Sequence, residues 1–150
     1  MAKTIQPDYH YHLKTASNPA VSPSGKAVAF TVHGFEENAS EATTNVFIKS
    51  LGNASALTQL TNSGTASLPA WSPDGTKVAY LDKDDSGVKQ VFTQLAASSS
   101  DRHAKRVALT SQIAEVDALA WSPDGTKIAF RALVPGADEL SVINAEPGIP

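Results

Sequence analysis

The stretch Ala70-Trp-Ser-Pro-Asp-Gly-Thr-Lys-Val-Ala-Tyr80 occurs again as Ala120-Trp-Ser-Pro-Asp-Gly-Thr-Lys-Ile-Ala-Phe130 and, more loosely, as Ala20-Val-Ser-Pro-Ser-Gly-Lys-Ala-Val-Ala-Phe30. The copies begin fifty residues apart, twice over. Identity over such a span marks a structural repeat rather than chance. Each copy reads as strand, turn, strand. In Ser-Pro-Asp-Gly, Pro fixes φ at the second turn position, Asp suits the third and Gly accepts positive φ at the end. Ser24 stands for Asp in the first copy, which a turn tolerates. Lys77-Val-Ala-Tyr-Leu81 and Lys127-Ile-Ala-Phe-Arg131 then follow as β-formers without helical spacing.

Further strands follow each copy. Asn45-Val-Phe-Ile-Lys49, Gln90-Val-Phe-Thr-Gln94 and Glu139-Leu-Ser-Val-Ile143 read as a third strand. Ala56-Leu-Thr-Gln-Leu-Thr61 and Lys105-Arg-Val-Ala-Leu-Thr110 read as a fourth. Four short strands per unit of about forty to fifty residues is the arithmetic of a propeller blade. Val78 and Tyr80 point one way from their strand, Ala79 and Leu81 the other, so both faces are apolar, as in a sheet held between two neighbours. Trp71 and Trp121 read as core residues between blades, and Ala29, Ala79 and Ala129 keep one face thin. The expected fold is all-β: a partial β-propeller of about three four-stranded antiparallel blades, at about 18–62, 63–111 and 112–150, behind an N-terminal arm at 1–17. The third repeat shows no Leu-Thr strand after Ile143, so its sheet is expected to lack an outer strand.

Composition bounds the function. Hydrophobic residues make up 41% and charged residues 18%, the balance of a globular chain. A net charge of −3 provides no basic field for nucleic acid or an anionic membrane. The densest basic spot, Arg102 to Arg106, is short and loop-like. The absence of cysteine excludes disulfides, thiolate metal sites and a cysteine nucleophile. No apolar run is long enough to span a membrane. Met1-Ala-Lys-Thr-Ile-Gln-Pro-Asp8 lacks the apolar stretch of a secretory signal, which makes the chain cytoplasmic by expectation. The sequons at Asn38 and Asn53 then carry no weight.

Few residues suggest chemistry. Tyr9-His-Tyr-His12 places His10 and His12 on one face of a strand, but no third ligand completes a metal site. His33 and His103 read as exposed loop residues. Asp82, Asp84 and Asp85 lack the Gly and Glu of a calcium loop and read as a solvated hairpin tip. Asp74 and Asp124 are explained by turn geometry. Ser63 and Ser86 precede Gly without a nucleophile elbow, and no Gly-x-Ser-x-Gly occurs. No catalytic, cofactor-binding or metal-binding residue is assigned, and no cofactor is expected.

The Trp-Ser-Pro-Asp-Gly copies resemble the propeller repeat shared by TolB-like proteins and the prolyl oligopeptidase family of serine peptidases. The order Asn18-Pro-Ala-Val-Ser-Pro-Ser-Gly25, acidic Glu36 to Glu41, Gln59-Leu-Thr61 and then two Trp-Ser-Pro-Asp-Gly blades is most similar to the N-terminal part of an acylaminoacyl peptidase. The resemblance spans about 18–143. It implies a propeller that caps an α/β-hydrolase domain and restricts substrate entry, the nucleophile, Asp and His lying in that other domain. The chain would then be a non-catalytic fragment whose partner is the hydrolase domain of a parent serine peptidase. Two alternatives remain: a TolB-like protein-binding module, and a self-assembling scaffold. Three blades leave two sheet faces uncovered, so a homo-oligomer is expected, with Tyr9-His-Tyr-His-Leu-Lys-Thr15 available to complete the third sheet.

Overall fold

A computed structural model describes residues 14–35, 42–52, 56–96, 106–112, 114–134 and 137–144. These residues form eleven strands and no helix. The strands are β1 (Thr15–Val21), β2 (Ala27–Phe35), β3 (Ala42–Ser50), β4 (Leu57–Gln59), β5 (Ser67–Trp71), β6 (Lys77–Lys83), β7 (Lys89–Leu95), β8 (Val107–Ala108), β9 (Val116–Trp121), β10 (Lys127–Val134) and β11 (Ala137–Asn144). They make three antiparallel sheets in the orders β1-β2-β3-β4, β5-β6-β7-β8 and β11-β10-β9. Thr15, expected in the N-terminal arm, pairs with His33 in the first sheet, and residues 1–13 lie outside the described residues.

The repeat writes the turns. Ser72 N donates to Lys77 O at 2.9 Å, and Gly75 N donates to Ser72 O at 2.9 Å. Ser22–Gly25 and Ser122–Gly125 close in the same way. Gly25, Gly75 and Gly125 hold φ between 68° and 73°, a region that penalises a Cβ. The Asp74 carboxylate accepts from Ser72 Oγ and from the Thr76 amide and hydroxyl, and these bonds hold it at about 2, below the ordinary 3.8. Asp124 repeats the pattern with Ser122 and Thr126 and also stands at about 2.

The sheets stack face to face. Val78 packs with Ala29 and Ile48, and Tyr80 and Phe92 pack with Val46 and Ala66, toward the first sheet. Ala79, Leu81 and Val91 turn the other way, onto Val116, Ile128 and Phe130 of the third sheet. The second sheet is therefore buried on both faces, as its two-sided apolar pattern requires. The first strands converge, since β5 packs on β1 and β9 packs on β5. Trp71 and Trp121 lie between sheets, each against the core of a joint.

The Leu-Thr pair has a physical reason. Thr61 Oγ1 accepts from Val46 N and donates to Asn45 Oδ1, which also accepts from Gly64 N. Thr110 Oγ1 accepts from Val91 N and donates to Gln90 Oε1, which also accepts from Gln112 N. One buried hydroxyl thus fixes the departure of the chain from each outer strand toward the next sheet, and an amide on the third strand anchors it.

Candidate functional site

Two polar clusters and two uncovered sheet faces are what the described residues offer. The first cluster centres on Asp82. It was expected on a solvated hairpin tip; it is instead 1% exposed. β6 continues to Lys83, so Asp82 pairs with Gln90 within the ladder and shares the inward face of Val78 and Tyr80. Its Oδ1 accepts from Ser63 Oγ at 2.8 Å, Thr65 Oγ1 at 2.6 Å and Lys83 N at 2.9 Å. Its Oδ2 accepts from Arg106 at 2.7 Å. The Arg106 guanidinium also lies 4.5 Å from the centre of the Phe92 ring. Burial, and then the Asp82 carboxylate, push the Tyr80 hydroxyl well above its ordinary range. Four donors occupy the Asp82 oxygens, which leaves them little room to reach a substrate or a cation. Its geometry ties the linker before β5 and the approach to β8 onto the second sheet.

Asp84 does sit on the tip, where Ser86 N, Ser86 Oγ and Val88 N bond to its Oδ1. These bonds, the Ser86 hydroxyl foremost, lower its pKa. Asp85 is exposed beside it. Among the described residues no group of three or more His, Asp or Glu is placed to hold a metal ion. His10, His12 and His103 fall outside the described residues.

The second cluster is a correction as well. His33 belongs to β2 rather than to a loop, because the β2–β3 ladder continues to Phe35 and Ala42. Its Nε2 lies 2.7 Å from Ser17 Oγ, and that hydroxyl donates to Asn18 Oδ1 at 3.0 Å. Asn18 occupies a bulge at φ 50°. A serine beside a histidine has the outline of a nucleophile and its base. In this arrangement the serine hydroxyl is directed at Asn18 Oδ1 and not at the ring. Sequence reading missed this pair because Ser17 and His33 meet only through strand pairing.

The uncovered faces belong to the first and third sheets. On the first, Phe30 and Phe47 stack at 6.4 Å, opposite in direction to the buried Ala29 and Thr31. On the third, Arg131 makes a two-pronged contact with Asp117 at 2.8 and 2.6 Å. Among the described residues no helix is long and apolar enough to cross a membrane.

Three stacked antiparallel sheets with one repeated turn at each joint are propeller blades. A family model described as the lipoprotein LpqB β-propeller domain matches residues 6–144. The chain belongs to the LpqB β-propeller domain family. No curated protein matches it. Among solved structures, this LpqB-type propeller is similar to the acylaminoacyl peptidase of Pyrococcus horikoshii at 15% identity and TM-score 0.65, covering 82% of this chain and 18% of that one. It is similar to TolB from Acinetobacter baumannii at 21% identity and TM-score 0.66, covering 88% of this chain and 30% of that one. The β-propeller domain of the Trilobed protease from Pyrococcus furiosus matches at 18% identity and TM-score 0.60, covering 79% and 33%. Identities this low establish the shared fold, and the LpqB-type chain spans a third or less of each of these three structures.

Proposed function

We propose that this chain serves as a non-catalytic propeller segment that gates substrate entry to, and docks, the α/β-hydrolase domain of a serine peptidase. The supporting observation is the likeness of its stacked blades to the propellers of acylaminoacyl peptidase and the Trilobed protease. The chain's own chemistry agrees. Four donors occupy the Asp82 oxygens, and the Ser17 hydroxyl is directed at Asn18 Oδ1. A second reading, a TolB-like module that binds protein partners through one rim, is favoured by the likeness to TolB. Sequencing the transcript beyond codon 150 separates the two. The peptidase reading expects a Gly-x-Ser-x-Gly elbow followed by Asp and His. A stop codon, or further blades and then a stop, contradicts it.

A further inference from the structure

The repeated turn sets a glycine directly after an aspartate, at Asp74-Gly75 and at Asp124-Gly125. This dipeptide carries a reaction of its own. The glycine nitrogen, with no Cβ beside it, can attack Cγ of the aspartate. A bond forms between that nitrogen and Cγ, and the amide proton leaves with the carboxyl hydroxyl as water. Water then opens the five-membered imide at either carbonyl. Cleavage of the N–Cγ bond restores aspartate. Cleavage on the main-chain side leaves the chain running through the β-carboxyl, an isoaspartyl linkage. The water consumed replaces the water released, so no other reagent is needed.

The folded turns oppose each part of this step. Gly75 N donates to Ser72 O at 2.9 Å and Gly125 N donates to Ser122 O at 2.9 Å, so the proton of the attacking nitrogen is held. The Asp74 carboxylate is drawn forward onto Thr76, accepting from its amide at 3.0 Å and its hydroxyl at 2.7 Å, and it accepts from Ser72 Oγ as well. Asp124 accepts from the Thr126 amide at 3.1 Å, the Thr126 hydroxyl at 2.8 Å and Ser122 Oγ. These bonds keep both carboxyl groups ionised, and a carboxylate is a poor electrophile. Burial contributes nothing, because Asp74, Thr76, Asp124 and Thr126 are all exposed. The first turn reads Ser24-Gly25-Lys26. The threonine is thus present where the reactive dipeptide is present, and absent where it is absent.

An isoaspartyl linkage adds one carbon to the main chain, and here the damage would spread. A Cβ on Gly75 would lie 3.7 Å from Pro23 Cδ, and one on Gly125 would lie 3.4 Å from Pro73 Cδ. Each turn therefore rests against the turn before it. A lengthened turn at Asp74 disturbs the joint between the first and second sheets, and one at Asp124 the joint between the second and third.

We propose that Asp74 and Asp124 are sites of spontaneous isoaspartate formation, closed while the serine and threonine of their own turns hold the carboxylate and open when a turn loosens. The two hydroxyls then guard the main chain against a covalent change as well as shaping the turn. A modified turn cannot rebuild its joint, so each event is a one-way loss. This inference does not depend on the peptidase reading.

The test is peptide mapping of the full chain after prolonged warming in mildly acidic buffer, with electron-transfer fragmentation to separate aspartyl from isoaspartyl peptides. Unfolded in guanidinium chloride, the chain is expected to form isoaspartate at both positions; folded wild type is expected to form it at neither over the same interval. Thr76→Val removes one hydroxyl at an exposed position and is expected to speed the reaction at Asp74 about tenfold over folded wild type, while Asp124 in the same molecule stays slow. Thr76→Ser keeps the hydroxyl and is expected to match wild type. Folded wild type that reacts as fast as the unfolded chain would overturn the proposal. So would a Thr76→Val chain no faster than wild type at Asp74, or one in which both positions react alike, which would assign the protection to the fold as a whole.

Discussion

Arg106→Met tests the buried cluster most sharply. The substitution keeps a long apolar stem over Phe92 and removes the charge that faces Asp82. Asp82 is 1% exposed and cannot turn to water, whereas the Arg106 side chain is 38% exposed. Breaking a buried ion pair costs about 3–5 kcal/mol. The lower end applies here, because Ser63, Thr65 and the Lys83 amide still bond the carboxylate. The expected loss is therefore about 3 kcal/mol at neutral pH. Asp82→Asn keeps an oxygen for those three donors and lets Arg106 swing into solvent, for a loss of about 2 kcal/mol. The double variant retains only the cost of one buried, unpartnered amide N–H group, about 2 kcal/mol again. The coupling between the two positions is then about 3 kcal/mol. Urea unfolding of the four proteins, at a concentration below that of association, gives the cycle from midpoints at constant slope. Additive losses, or an Arg106→Met variant within about 1 kcal/mol of wild type, would refute the claim that this pair clamps the linker to the second sheet.

Three further outcomes are expected. Thr31 is fully buried against the second sheet and its Oγ1 has no partner among the described residues, so Thr31→Val should raise stability by about 1 kcal/mol, read as a higher melting temperature. Trp121→Phe removes the bond to Ala70 O and part of the packing in that joint, and should cost about 1–2 kcal/mol in the same assay. The pKa values of Asp74 and Asp124 are depressed from 3.8 to about 2 in the folded chain. Their stabilising effect is therefore full above the unfolded value and lost as pH falls through about 2. Replacing both by Asn should flatten the acid limb of a stability profile between those limits, while Ser24→Ala in the first turn should leave its slope unchanged.

The turns, the blade repeat and the place of the two tryptophans were legible because each depends on local chemistry copied fifty residues on. The Leu-Thr pair was legible as a pattern, but its cause was not. Thr61 and Thr110 act through Asn45 and Gln90, and nothing in the spacing joins those positions until strands pair. Asp82 was misread because a carboxylate beside Lys83, Asp84 and Asp85 looks like a solvated tip. Its burial is set by a ladder that runs one residue past Asp82, and its side-chain partners lie 17 to 24 residues away. His33 was misread for a similar reason, since the acidic stretch after it concealed that β2 runs on to Phe35. The candidate sites were thus harder to read than the fold, because they are built from contacts between strands and between sheets.

The proposed function has the chain act by packing and binding and perform no hydrolysis itself. Ser17 beside His33 is the arrangement most able to contradict it. The direct measurement is peptidase and esterase turnover by the purified chain, with intact mass after exposure to a serine-directed fluorophosphonate. No turnover and no adduct are predicted by this account. Turnover that Ser17→Ala abolishes, with an adduct mapped to Ser17, would contradict it.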